Sequence, residues 1–227
     1  MPKTTCNLYD CFLCQHVISE WRPLIELNKE SRIIKKGKAV FREGDPVEGI
    51  FFVYRGWVKI HKIWTHPREL IIRFAGAGDI IGHRGLGDKK NYPVSATALE
   101  DSTVCFVPED FLEASLQANR GLTYRLMHFY AAELQKAERR MSDLVHMETK
   151  GRIAGVLLEM NEKFGTNREG FIAMPVSRQD VASYAGTTYE TLFKLLNEFK
   201  RGKIISTSGK YIKIINPAKL HQIVKRK

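Results

Sequence analysis

Glycine cuts the stretch from Ser31 to Val107 at short, near-regular intervals, at Gly37, Gly44, Gly49, Gly56, Gly76, Gly78, Gly82, Gly85 and Gly87. Between them lie brief β-branched and aromatic runs. They include Gly49-Ile50-Phe51-Phe52-Val53-Tyr54, Trp57-Val58-Lys59-Ile60, Leu70-Ile71-Ile72-Arg73-Phe74 and Thr103-Val104-Cys105-Phe106-Val107. Such residues suit a pleated, half-buried surface, and glycine supplies the backbone conformations that tight turns demand. The pattern predicts many short strands joined by turns, closed into a β-barrel or sandwich.

The pattern changes at Pro108-Glu109-Asp110, which opens a helical stretch. From about Leu122 to Met147 there is neither Pro nor Gly. Apolar residues recur there at helical spacing: Leu122, Leu126 and Phe129, then, after a break, Leu134, Ala137, Met141 and Leu144. Steps of three and four are those of a coiled-coil seam. Two readings of the stripe stay open, a homodimer seam or a face packed on its own domain.

Thr149 to Lys163 is amphipathic. Ser177-Arg178-Gln179-Asp180 has capping-box spacing, with Asp in place of Glu, and predicts a short helix ending near Ala185-Gly186. Thr187-Thr188-Tyr189-Glu190 has the same spacing and predicts a second helix running to about Arg201. Two short helices joined by a tight glycine-containing turn make a helix-turn-helix. Ile204 to Ile215, with a Ser208-Gly209 turn, predicts a β-hairpin wing.

Charge points to the partner of this last part. The chain holds 36 Lys and Arg against 25 Asp and Glu, and residues 151–227 hold 14 of the first kind and only 6 of the second. So basic a small domain favours a polyanion, nucleic acid first. No apolar run approaches roughly 18 residues, and Met1-Pro2-Lys3-Thr4-Thr5-Cys6 lacks an apolar signal core. A cytoplasmic protein with no membrane contact is expected, in a compartment where thiols stay reduced. No nucleophile–base pair, P-loop or H-E-x-x-H is present, so no enzyme is expected.

The 4 cysteines are unevenly placed: Cys6, Cys11 and Cys14 form a C-x4-C-x2-C run, and Cys105 stands alone far downstream. Four soft thiolates suit an iron–sulfur cluster, one per iron. They also suit a structural zinc site or a thiol–disulfide switch. The plainest reading is unrelated cysteines, one buried in a strand and three on a loose tail.

In element order, residues 20 to 220 resemble the CRP/FNR superfamily of bacterial transcription regulators. Gly56-Trp57-Val58-Lys59-Ile60 and Gly78-Asp79-Ile80-Ile81-Gly82 resemble its β-roll glycine motifs. Gly151-Arg152-Ile153-Ala154 and Arg178-Gln179-Asp180-Val181 resemble the winged-helix entry and first motif helix. Glu190-Thr191 with Lys194 resembles the recognition helix, and Gly209-Lys210-Tyr211-Ile212 the wing. The resemblance implies an α+β chain with a cyclic-nucleotide-binding-like β-roll (a jelly roll), a long dimerisation helix and a winged helix-turn-helix. The expected divisions are a cysteine-bearing segment over 1–19, the sensor domain over 20–120, the dimerisation helix over 121–148 and the DNA-binding domain over 149–227.

The family's cyclic-AMP branch is similar to Gly-Glu-Leu-Gly-Leu followed by an Arg-Ser pair. Here Gly82-His83-Arg84-Gly85-Leu86 and Tyr92-Pro93 stand at those places, so cyclic AMP is not the expected effector. Arg84, Lys89 and Lys90 are read as surface-loop cations, with the holding of some other anion as the alternative. The segment Glu100 to Pro108 resembles the one that carries the FNR branch's lone fourth cluster cysteine. The usual FNR run has a two-residue gap before a longer one, and here the gap of four precedes the gap of two. This branch implies a 4Fe-4S cluster on Cys6, Cys11, Cys14 and Cys105, labile to oxygen or nitric oxide, that promotes dimerisation. A regulator of the same fold without a cluster, answering another effector or thiol oxidation, is the alternative.

The implied partners are double-stranded DNA with an inverted-repeat site, a second copy of the chain, and RNA polymerase. Tyr189, Glu190, Phe193 and Lys194 are the expected base-reading residues, Glu190 toward cytosine and Lys194 toward guanine. Phe193 either meets a thymine methyl or belongs to the core. Ser177, Arg178, Gln179, Thr188, Lys200, Arg201 and Lys210 are the expected phosphate contacts.

Overall fold

Two strands of the glycine-rich stretch are apolar at nearly every position rather than at every second one, which requires both faces of their sheet to be covered. In a computed structural model that describes residues 11–65, 68–173 and 175–225, they are. The chain begins with α1 (Phe12–His16) and α2 (Arg22–Asn28). The strands β1 (Glu30–Ile34), β2 (Ala39–Phe41), β3 (Gly49–Arg55), β4 (Val58–Thr65), β5 (Arg68–Ala75), β6 (Ile80–Ile81), β7 (Ser95–Ala98) and β8 (Ser102–Pro108) follow. They form two antiparallel four-stranded sheets, ordered β1-β8-β3-β6 and β2-β7-β4-β5.

Side-chain alternation along β3 and β8 feeds two separate cores. Phe51, Val53, Val104 and Phe106 meet Phe41, Val58, Ile60 and Ala96 of the second sheet. Ile50, Phe52, Cys105 and Val107 point the other way, onto Leu13, Ile25 and Leu112 and onto Leu122 and Leu126. Gly49 is fixed by this double packing, since a Cβ there would lie 2.1 Å from the Val107 carbonyl oxygen. The expected sandwich is present as a jelly-roll-like pair of sheets.

Helices follow: α3 (Glu109–Ala118) and the continuous α4 (Arg120–His146). Then come α5 (Thr149–Phe164), α6 (Arg178–Ala185), α7 (Tyr189–Arg201), β9 (Ile205–Ser208), β10 (Tyr211–Ile214) and α8 (Pro217–Lys225). The described residues divide into two compact units, one ending at Leu134 and one beginning at Gln135. Among them no helix is long and apolar enough to cross a membrane.

Three local expectations are corrected. The second capping residue is Thr188 rather than Thr187; its hydroxyl accepts from the Thr191 N–H, so Glu190 sits one place too early to close a box with it. The wing turns on Gly209-Lys210, because Ser208 is already paired with Tyr211. The apolar stripe of α4 divides: Leu122 and Leu126 are buried in their own unit with Phe129 packed against them, whereas Leu134 and Met141 are 61% and 63% exposed. Ala137 and Leu144 are exposed as well. The outward apolar row is Tyr124, Met127, Ala131, Leu134, Met141 and Val145, in steps of three, four or seven.

Candidate functional site

The second unit builds a small helix-turn-helix from α6 and α7. Ser177 caps α6 with a complete capping box: its hydroxyl oxygen accepts from the Asp180 N–H, and the Asp180 carboxylate accepts from the Ser177 N–H. Gly186 ends that helix in the left-handed conformation at φ 62°, which glycine adopts without strain. Thr188 then starts α7. Leu192, Leu196 and Phe199 bury one side of α7, and a helix of 3.6 residues per turn turns residues 190, 193 and 194 away from it, while Tyr189 opens the helix.

Tyr189 and Phe193 are 40% and 49% exposed, so the core reading of Phe193 is excluded. Their rings stack on each other at 6.3 Å between centroids, inclined by 18°. Glu190 is exposed; its own backbone N–H and the Thr188 hydroxyl hold its carboxyl below the usual carboxylate range. Lys194 is exposed on the same face.

The expected phosphate contacts fall into two groups. Ser177, Arg178, Gln179 and Thr188 lie at or next to the N-termini of α6 and α7, where unsatisfied N–H groups favour anions. The Arg178 Nη2 donates to the Gly209 carbonyl at 2.8 Å, which ties this end of the unit to the wing turn that exposes Lys210. Lys200 and Arg201 occupy the last turn of α7, about 16 Å along the axis from Tyr189. There they complement the helix dipole.

In the first unit, Cys11, Cys14 and Cys105 are 6%, 1% and 4% exposed and share one apolar core with Leu122 and Leu126 of α4. Cys105 lies mid-strand in β8, opposite Ser31 on one side and Phe52 on the other. Cys11 caps α1, its sulfur accepting from the Cys14 N–H at 3.3 Å. Cys6 lies outside the described residues. Among the described residues no three or more His, Cys, Asp or Glu gather to hold a single metal ion. A cluster spreads its thiolates over several irons, and three sulfurs in one water-poor core fit that chemistry.

The β-roll pocket is lined by Phe41, Arg73, His83, Arg84, Tyr92 and Val94 and encloses about 10 Å³, room for about one water. Tyr92 forms part of its wall, stacked on Phe41 at 4.1 Å with its hydroxyl donating to the Gly49 carbonyl at 2.6 Å. Arg84 is no surface-loop cation: with Arg73 it flanks Glu133 of α4, each guanidinium 3.8 Å from the same carboxylate oxygen. The Tyr130 hydroxyl donates to the His83 carbonyl at 2.6 Å. Burial, with Arg73 and Arg84 beside it, pushes the His83 imidazole down to about 3. The cluster joins residues of three elements far apart in sequence, and no local signal marks it.

Comparison with known proteins adds relatives. Residues 31–119 match the family described as "Cyclic nucleotide-binding domain", and residues 151–223 match "Crp-like helix-turn-helix domain". The "Transcriptional activator protein anr" of Pseudomonas aeruginosa is 29% identical over 97% of this chain and 92% of its own length. "Electron transport regulator A" of Shewanella oneidensis is 30% identical over 89% of this chain and 82% of its own length. Among solved structures, FixK2 from Bradyrhizobium japonicum is similar with TM-score 0.77 and 28% identity, covering 88% of this chain and 98% of that one.

Proposed function

Since the chain belongs to the CRP/FNR family of DNA-binding transcription regulators, we propose that its DNA binding is set by an oxygen- or nitric-oxide-labile 4Fe-4S cluster held by Cys6, Cys11, Cys14 and Cys105. The observation that carries this reading is the burial of three of those thiols in the core that also anchors α4. Redox-switch thiols are typically solvent-accessible, and these are not.

When bound, the cluster supplies an iron–sulfide core that oxygen or nitric oxide can attack. The protein's own residues supply the coupling. Cys11 and Cys14 hold the N-terminal segment against the outer face of the first sheet, beside Leu122 and Leu126. Freeing that segment strips apolar cover from the first turns of α4. The outward row from Tyr124 to Val145 is then the dimer seam, met by the same row of a second copy. Dimerisation joins two reading heads, so affinity for an inverted repeat depends steeply on the state of the seam.

On DNA, Glu190 accepts from cytosine N4 and Lys194 donates to guanine, while the exposed Tyr189–Phe193 pair meets a thymine methyl. Ser177, Arg178, Gln179, Thr188 and Lys210 contact phosphates, with Lys200 and Arg201 farther along the backbone. RNA polymerase is the further partner and the cytoplasm the compartment. Cyclic AMP is not the effector in this reading, which is supported by His83-Arg84 and Tyr92-Pro93 standing where the cyclic-AMP branch has Glu-Leu and Arg-Ser.

The test is Cys105→Ser purified without oxygen and compared with the parent for iron content, dimerisation and DNA binding. Loss of all three supports the reading. A variant that dimerises and binds DNA as the parent does, in both atmospheres, sinks it.

A further inference from the structure

In the second unit, one guanidinium gathers four oxygens from three places. Arg152, in the first turn of α5, donates from Nη1 to the Met147 carbonyl at 2.7 Å and from Nη2 to the Thr149 hydroxyl at 3.2 Å. Its Nε donates to the Ala185 carbonyl at 3.1 Å, and Nη2 also reaches the Gly186 carbonyl at 3.3 Å. Met147 follows the last turn of α4, and Ala185 and Gly186 end α6. Each of these helix ends leaves carbonyls without an intrahelical partner, and both carry partial negative charge. A cation with a planar fork of five donors answers two such ends at once; a lysine does not.

Neighbouring contacts converge on the same joint. Arg140, two turns from the end of α4, donates from Nη2 to the Tyr184 carbonyl and lies 4.0 Å over the Tyr184 ring. A Cβ on Gly186 would stand 2.5 Å from Leu144 Cδ2, so the turn of the helix-turn-helix lies directly against α4. Gly151 permits the approach from the other side, since a Cβ there would meet Met147 Cγ at 2.9 Å.

We propose that Arg152 is a positioning residue: it locks the end of α4 to the turn between α6 and α7, and so fixes the separation of the two reading heads in a dimer. The inference rests on the DNA-binding dimer described above. One base pair moves a half-site by about 3.4 Å along the duplex and turns it by about 35°. A rigid joint rejects such a shift and a loosened one tolerates it. Base reading within a half-site comes from the outward face of α7, which Arg152 does not touch.

The experiment measures binding to the preferred inverted repeat and to versions with the half-sites one base pair nearer or farther, for the parent, Arg152→Lys and Arg152→Met. The parent is expected to bind the shifted sites at least about tenfold more weakly, a difference of about 1.4 kcal/mol. Arg152→Met should hold all three spacings within about threefold, with Arg152→Lys between, while both still discriminate against a changed half-site base. Either variant, folded and dimeric, keeping the parent's spacing preference overturns the inference. Should Arg152→Met fail to fold, Arg152→Lys alone decides. A parent that binds no DNA instead overturns the DNA-reading account, and a parent indifferent to spacing overturns the inference.

Discussion

Phe193 is a large apolar side chain left 49% exposed on a helix whose other side is full of leucine and phenylalanine. Half-buried against DNA, its ring gains most from a methyl group, and burying one carbon is worth about 0.8 kcal/mol. Replacing the contacted thymine by uracil should weaken the parent about fourfold and leave Phe193→Ser unaffected; equal loss in both proteins contradicts the contact. Lys194→Met should cost about 1–3 kcal/mol and relax preference at one base pair only, read from binding to a set of single-base operator variants. His83 sets a pH dependence in the first unit. Its imidazole is held at about 3 in the fold against an ordinary 6.5, so the unfolded chain binds the extra proton between those values and stability is lost as pH is lowered across that window. Glu69 is held down to about 2, first by its hydrogen bond from His61 and also by Lys59. It adds stability above pH 4.5 that is lost on further acidification. The urea midpoint should therefore start to fall near pH 6.5, and His83→Asn should delay that fall to the carboxylate range.

At the scale of the element, α4 carries two apolar rows with different duties. Leu122 and Leu126 face their own core and Leu134 and Met141 face outward. Leu122→Ala should cost about 2–5 kcal/mol of stability in chemical denaturation. Leu134→Glu should leave that stability nearly unchanged and shift the sedimentation equilibrium toward monomer. An opposite pattern would exchange the two duties. Sequence spacing marks the break between Phe129 and Leu134 but not which row is buried, which depends on the packing of Leu13 and Ile25 beside Leu122 and Leu126. Local signals served the winged helix better. The Ser177 capping box and Gly186 act through residues one to three places apart, and both stand where their chemistry put them. The Arg73–Glu133–Arg84 cluster and the reach of Arg152 depend on residues 30 or more places apart, which no spacing rule reads.

Across the whole molecule, α4 begins in the core that buries Cys11, Cys14 and Cys105 and ends in the second unit. The excess of Lys and Arg over residues 151–227 should make DNA affinity fall steeply with salt, with a logarithmic slope near −0.9 per phosphate contacted. Neutralising Lys210 should flatten that slope by about one unit without changing sequence preference. The spacing of the cysteines is plain in the sequence, and the burial of Cys11 and Cys14 beside the root of α4 is not, since a tail's docking depends on the surface it meets. The most direct test is an absorption spectrum with iron and sulfide analysis and a DNA-binding titration on one anaerobic sample, repeated after a pulse of air. The account predicts a brown protein with about four irons and four sulfides per chain that binds DNA and loses colour and affinity together. A colourless, iron-free protein that binds DNA equally well before and after air would contradict it.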